Sequence, residues 1–184
     1  MHLIFLGIQG SGKGTQAKLL LDKGYKLFET GAELRSIAQE DSELGKEVKS
    51  IIESGNLVSD ELVCRLAANF IDSNKKSFII FDGIPRNQQQ FDKVVPMLQS
   101  KNIEFKILNF QLDSETAKKR MVKRAEIENR TDDTPEIMEK RVSIFLESTK
   151  PLLKEFSKIT EVINIDASHS IEDVNIEVHN KLGL

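Results

Sequence analysis

Gly7, Gly10, Gly12 and Lys13 fall in the spacing G-x-x-x-x-G-K, within a stretch from Leu3 to Thr15 that reads LIFLGIQGSGKGT. Glycines so placed let the backbone take positive φ and turn its N–H groups onto an anion. A lysine next to them adds a full positive charge that reaches the outer phosphates of a nucleotide. The pattern reads as a loop that cradles a polyphosphate. The strict form places Ser or Thr directly after the lysine; here Gly14 follows and Thr15 comes one residue later. The stretch therefore points to a triphosphate without specifying an ordinary ATPase or GTPase of this loop class.

A second chemical group sits downstream. Asp82 closes the apolar run from Ser77 to Phe81. A carboxylate ending a strand beside a phosphate loop holds Mg²⁺, or waters bound to it, against the phosphates. The seven arginines, Arg35, Arg65, Arg86, Arg120, Arg124, Arg130 and Arg141, are spread along the chain. Their planar forks bind phosphate oxygens in pairs, so brought together they would hold a polyanion.

These residues need a scaffold, and the hydrophobic pattern supplies one. The phosphate loop requires a buried strand before it and a helix after it, whose N-terminus adds partial positive charge. Leu3–Leu6 gives the strand, and the helix is expected from about Lys13 to Lys23, ended by Gly24. Further strands are expected at Tyr25–Glu29, Ser77–Phe81, Phe105–Phe110 and Val162–Ile165. Unbroken apolar strands suit a parallel sheet covered on both faces. Between them, Thr30 is expected to cap a helix carrying Arg35 and ending near Asp41, and Leu44–Ser54 forms a second helix stopped by Gly55. Ser59-Asp60-Glu61 opens a helix to about Ser73, and another contains Gln90. Ser114 to about Arg124 is helical. Residues 125–134 are expected to be a polar loop, and Thr134-Pro135 starts a long helix that carries Arg141 and breaks near Pro151. A last helix follows Asp166 and the turn Ala167–Ser170. Alternating strands and helices predict an α/β fold: a five-stranded parallel sheet with helices on both faces and ligands at the carboxyl ends of the strands.

Bulk properties exclude other classes. The 184 residues suffice for one domain, and a net charge of −3 gives no general attraction to nucleic acid or membrane. The only cysteine, Cys64, forms no internal disulfide, rules out a multi-cysteine zinc site and is read as a buried inert thiol. No secretory signal is recognised and no apolar run approaches membrane-spanning length, so a soluble cytoplasmic protein is expected.

With these residues placed, the chain resembles the nucleoside monophosphate kinases, and among them the adenylate kinase family. The resemblance runs over essentially the whole chain through GxxGSGKGTQ (Gly7–Gln16), TGxxLR (Thr30–Arg35), GxLVxDEL (Gly55–Leu62) and DGIPR (Asp82–Arg86). It implies a single P-loop NTPase-type kinase domain over residues 1–184, with a small lobe at 30–57 that binds the monophosphate and a short lid at 125–134. It implies Mg²⁺-dependent, reversible transfer of the ATP γ-phosphoryl group to AMP, giving two ADP, with no zinc and in a monomer. Gly10, Ser11, Gly12, Lys13, Gly14, Thr15, Arg120 and Arg124 are then the ATP contacts, with Arg120 stacked on the ATP adenine. Thr30, Gly31, Arg35, Ile52, Leu57, Val58, Gly83, Arg86, Gln90, Arg130 and Arg141 are the AMP contacts. Lys13, Asp82, Arg86, Arg124, Arg130 and Arg141 carry the chemistry, with Asp82 reaching the metal through water. Gln90 reads adenine through a bidentate amide pair.

The chain also departs from the family pattern. Ala32 stands where the family often has an aspartate that organises the Mg²⁺ waters, leaving that task to Asp82 or to Glu33. Gln9 and Ile84 replace the usual proline and phenylalanine. His2, His169 and His179 match no catalytic position and read as surface residues. Arg86-Asn87-Gln88 resembles the RNQ of pyrimidine kinases, which keeps UMP/CMP kinase as the alternative, separated by Thr30 and Gln90. An ATPase or a P-loop switch is a further alternative; the N-K-x-D guanine signature of the GTPases is absent, because Asn74-Lys75 and Asn180-Lys181 both lack the aspartate.

Overall fold

The structure is a computed structural model and describes residues 1–128 and 134–184. Five parallel strands, β1 (His2–Gly7), β2 (Lys26–Glu29), β3 (Ile79–Asp82), β4 (Phe105–Gln111) and β5 (Val162–Asp166), lie in the order β2-β3-β1-β4-β5. β1 is central, pairing Leu3 with Ile80 and Phe5 with Asp82 on one side, and Leu3 with Lys106 and Gly7 with Phe110 on the other. This order makes the end of β1 the point where connections diverge to the two halves of the sheet, which is where ligands bind in such folds.

The strands read as continuous apolar runs because both faces are covered. Ile4, Leu6, Phe81 and Ile107 pack with Val63, Ala67, Val94, Leu98 and Phe156 on one face. Leu3, Phe5, Ile80, Leu108 and Phe110 pack with Ala17, Leu20, Val174 and Val178 on the other. Side chains one residue apart thus enter different cores, as strand geometry requires. The helices supplying the first face are α4 (Asp60–Ser73), α5 (Gln88–Ser100) and α8 (Leu152–Phe156); those supplying the second are α1 (Lys13–Leu19) and α9 (Ile171–Leu182). A third, smaller cluster of Ile8, Ala117, Met121, Met138 and Val142 fixes the phosphate loop to α6 (Ser114–Glu128) and α7 (Pro135–Ile144).

Several boundaries differ from expectation. α1 ends at Leu19, and a 3₁₀ turn (Leu21–Lys23) closed by Gly24 at φ 85° finishes the segment. Thr30 does not cap α2 (Thr30–Ala38): β2 runs straight into the helix, so Glu29 is the flanking residue and Thr30 is already helical. Its hydroxyl is left buried and unpaired. Ser42 caps the next helix, α3 (Glu43–Glu53), by accepting from the Gly45 N–H at 3.0 Å. β3 begins at Ile79, two residues later than read.

The expected loop at 125–134 is a correction, because α6 continues helical through Glu128. Arg130, with Asp132 and Asp133, lies outside the described residues. The break near Pro151 is present and has a cause. A π-helical turn (Phe145–Thr149), closed by the Lys150 N–H on the Phe145 carbonyl at 2.8 Å, precedes the proline, which has no N–H to continue an α-ladder.

Candidate functional site

A cleft of about 1010 Å³ opens at the carboxyl ends of β1, β2 and β3. Its floor is the phosphate loop. α3, α4, α5, α7 and α9 each begin on a side-chain cap, from Ser42, Ser59, Asn87, Thr134 and Ser170. α1, like α2, has none: Gly12 precedes it at φ 87°, a conformation that L side chains rarely adopt, and supplies no side-chain cap. The first N–H donors of α1 are left for an anion. Gly10 is required by close approach, since a Cβ there would lie 2.5 Å from the Ala117 carbonyl oxygen of α6. The Ser11 hydroxyl is buried without a partner in the same loop. Lys13 curls back over it, donating to the Gly7 and Ile8 carbonyls at 2.8 and 3.0 Å. Burial pulls its ammonium down to about 8, against the opposing pull of Asp82.

Two carboxylates face this lysine. Asp82 ends β3, is 8% exposed and is pushed up by burial, with Lys13 acting in the opposite direction. Glu29 ends the neighbouring strand and is its direct register partner. Register partners on parallel strands stand one strand spacing apart, about 4.8 Å. Both line the cleft, and Glu29 adds to the upward push on Asp82. Glu33 is not among the cleft residues, whereas Ala32 is. Of the two residues expected to organise metal waters, Asp82 is therefore on the cleft and Glu33 is not. Glu29 was missed by the sequence reading; its position as the last residue of a strand was the available signal.

The cations converge from separate elements. Arg35 comes from α2, Arg86 from the turn after β3, Arg120 and Arg124 from α6 and Arg141 from α7, and all line the cleft. Arg35 pairs with Glu29 at 3.1 Å. Arg86 is held by its own turn, its Nε donating to the Gly83 carbonyl at 2.9 Å. Burial lowers the proton affinity of Arg86, and the nearby Arg141 and Arg35 lower it further, with Asp82 opposing. A site that crowds like charges in this way is built for an anion. The Thr149 hydroxyl, in the π-helical turn, donates to the Arg86 carbonyl at 2.7 Å and ties that turn to the site.

Thr30, Gly31, Ile52, Leu57, Val58, Gly83 and Gln90 line the same cleft, as do Gly10, Ser11, Gly12, Gly14 and Thr15. At the far end, Arg120 donates to the Ala167 carbonyl at 2.8 Å, which docks α6 on the loop after β5. His169 and Ile171 line this end, as does Ile127 from α6. His169 is exposed, as expected, and also borders the cleft, with its Nε2 3.3 Å from Asp166. His2 is no free surface residue, for its Nδ1 accepts the Ile79 N–H at 3.2 Å. Cys64 is half-buried, and burial raises its thiol. Among the described residues no cluster of three or more His, Cys, Asp or Glu residues could hold a metal ion, and no helix is long and apolar enough to cross a membrane.

Comparison with known proteins agrees with this geometry. A family model described as adenylate kinase matches residues 5–161. An adenylate kinase of Prochlorococcus marinus (strain MIT 9211) is 35% identical over 185 residues, covering 100% of this chain and 97% of that protein. One from Parabacteroides distasonis is 33% identical over 95% of this chain and 93% of its own length. Adenylate kinase 1 of Schistosoma mansoni is 36% identical over 98% of this chain and 91% of its own length. A five-stranded parallel sheet with a phosphate loop at its switch point, and relatives aligned from end to end, lead to one conclusion: the chain belongs to the adenylate kinase family, nucleoside monophosphate kinases of P-loop NTPase fold.

Proposed function

We propose that this chain is an ATP:AMP phosphotransferase, moving the γ-phosphoryl group of ATP reversibly to AMP to give two ADP. The observation that carries the reading is the convergence of Lys13, Arg35, Arg86, Arg124 and Arg141 on one cleft. Phosphoryl transfer asks little covalent work of a protein; it needs two polyanions held in line and the charge of the moving group stabilised.

The roles are carried from the family resemblance onto residues that line the cleft. The loop N–H groups and Lys13 hold the donor phosphates, with Ser11 and Thr15 at their side. Arg120, with Ile127 and Ile171, borders the donor base, and Arg35 and Arg86 grip the acceptor phosphate. Arg124 and Arg141, with Arg130 assigned by the resemblance alone, attend the group in flight, where fixed cations act on charge as it develops. The segment 30–57 is assigned to covering the acceptor and 125–134 to the lid, which would keep water from the phosphoryl group.

Adenylate kinases generally use Mg·ATP. The donors available here suit such a hard cation: the Asp82 and Glu29 carboxylates are register partners at the ends of adjacent strands. An ion held beside Asp82 and Glu29 would supply positive charge to offset that of the donor phosphates. The proposal takes ATP, AMP and ADP as ligands, without nucleic acid, in a cytoplasmic monomer.

The test is ADP formation from Mg·ATP with AMP, CMP, UMP, GMP or no acceptor. Turnover with AMP far above the others supports the reading. A preference for CMP or UMP, or equal ADP formation without an acceptor, contradicts it.

A further inference from the structure

Gln90 lines the cleft yet is only 2% exposed, and its side-chain amide is engaged at both ends. Its Oε1 accepts the Arg86 backbone N–H at 2.7 Å, and its Nε2 donates to Asp60 Oδ1 at 2.8 Å. The same Asp60 oxygen accepts from Asn87 Nδ2 at 3.0 Å, while Asn87 Oδ1 accepts the Gln90 N–H at 2.8 Å. Asp60 is the first residue of α4 and Asn87 caps α5, so the clamp joins two helix starts. Neither Asp60 nor Asn87 lines the cleft.

This arrangement permits one orientation of the Gln90 amide. Turned over, its NH₂ would face the Arg86 N–H and its carbonyl would face the Asp60 carboxylate. Both are like-with-like contacts that leave buried polar groups unpaired. In the permitted orientation the amide keeps a second oxygen lone pair and a second N–H. A base edge therefore meets one acceptor and one donor in a fixed order. Adenine matches it, with an amino donor beside a ring-nitrogen acceptor. A 6-oxopurine presents an acceptor where adenine presents the amino group, and its protonated ring nitrogen a donor where adenine accepts. A freely turning amide would suit either base; a clamped one does not.

We propose that Asp60, with Asn87, is a positioning residue that locks the Gln90 amide and so makes the acceptor site select 6-aminopurine over 6-oxopurine monophosphates. The inference rests on the reading of this corner as the AMP site. IMP is the sharpest probe, because it differs from AMP only on the edge in question.

The experiment measures kcat and KM for AMP and for IMP, KM for Mg·ATP, and calorimetric Kd for both monophosphates, in the wild type, Asp60→Asn and Asn87→Ser. Asp60→Asn keeps the shape but can also donate to a turned Gln90 carbonyl. Asn87→Ser keeps a helix cap and removes the donor to Asp60. The wild type should favour AMP over IMP by roughly 10- to 100-fold, the range of a good bidentate amide contact. Asp60→Asn should cut that ratio about tenfold through KM and Kd for AMP, leaving KM for Mg·ATP in place, with a smaller loss of the same kind in Asn87→Ser. An unchanged AMP/IMP ratio in both variants, or an equal fall in kcat with both acceptors, overturns the proposal. If Asp60→Asn does not fold, Asn87→Ser decides. A wild type that does not use AMP overturns the underlying reading instead, and shows it before any substitution is made.

Discussion

At the phosphate end of the cleft, one run from Gly7 to Thr15 supplies the turn, the helix start and the ammonium, and Lys13 bonds to carbonyls within its own loop. At the base end, Thr30 comes from α2, Asp60 from α4, Asn87 from the cap of α5 and Gln90 from its first turn. On the proposed assignment the first region works through backbone dipoles and the Lys13 charge, which act on any nucleotide phosphate. The second works through side-chain hydrogen bonds of fixed direction, so it can discriminate between bases. The phosphate end is built for strength from local sequence, and the base end for selectivity from distant sequence.

The largest test of this contrast is at Lys13. Lys13→Ala should lower kcat by roughly 10²–10³-fold with every acceptor, as loss of a charge-stabilising group does, and steady-state kinetics with AMP and CMP would read it. Arg86→Ala should fall in the same range and add a higher KM for the monophosphate. A loss confined to one acceptor would place Lys13 on the wrong side of the comparison.

Next is Gln90→Ala, which should cost about 10- to 100-fold in kcat/KM for AMP and leave KM for Mg·ATP unchanged. An equal loss for donor and acceptor would make the residue structural.

The two ends should also part with pH. Lys13 sits near 8, so kcat/KM for Mg·ATP should fall as pH rises through that value, by about tenfold per unit at the limit. Selectivity between AMP and IMP should not follow that fall. The same shift has a stability consequence. The folded chain releases the Lys13 proton before the unfolded chain does, so between about 8 and the ordinary value of 10.5 the unfolded state binds more protons and stability rises with pH. Below about 8 both states hold the proton and the burial cost of the ammonium stands in full. Lys13→Met should therefore have a higher Tm than wild type at pH 7, a gain that shrinks toward pH 10, while turnover is lost.

The smallest expected effect is at Glu29. Glu29→Gln should raise the Mg²⁺ concentration needed for half-maximal ATP binding by about tenfold, the low end of what loss of an outer-shell partner costs. Manganese–ATP relaxation measurements on the nucleotide-bound chain read this without turnover. No change would leave Asp82 as the only carboxylate serving the ion.

The legibility of the sequence follows the same division. The phosphate loop, the strand feeding it and Asp82 could be read because contiguous residues alternate between two buried faces and end on glycine or carboxylate. The roles of Arg35, Arg86 and Gln90 came only through resemblance, since spacing alone cannot bring α2, the turn after β3 and α5 together. Glu29 escaped notice because its importance is its register with Asp82, 53 positions away along the chain but adjacent across β2 and β3. Sequence alone makes Asp60 a first-turn acid that favours a helix start, which it is; its bonds to Asn87 and Gln90 depend on how α4 packs on α5. The end of α6 lies later than expected because its last turns bury little: Ala125 is half-buried, while Glu126 and Ile127 are exposed, so no buried apolar stripe marks the continuation.

The most direct measurement starts from a single nucleotide. Pure ADP with Mg²⁺ is added to the protein and followed by phosphorus NMR. The account predicts that ATP and AMP appear in equal amounts and approach equilibrium, because the donor and acceptor sites both take an adenine nucleotide. ADP that stays unchanged, or AMP and phosphate accumulating without ATP, would contradict it.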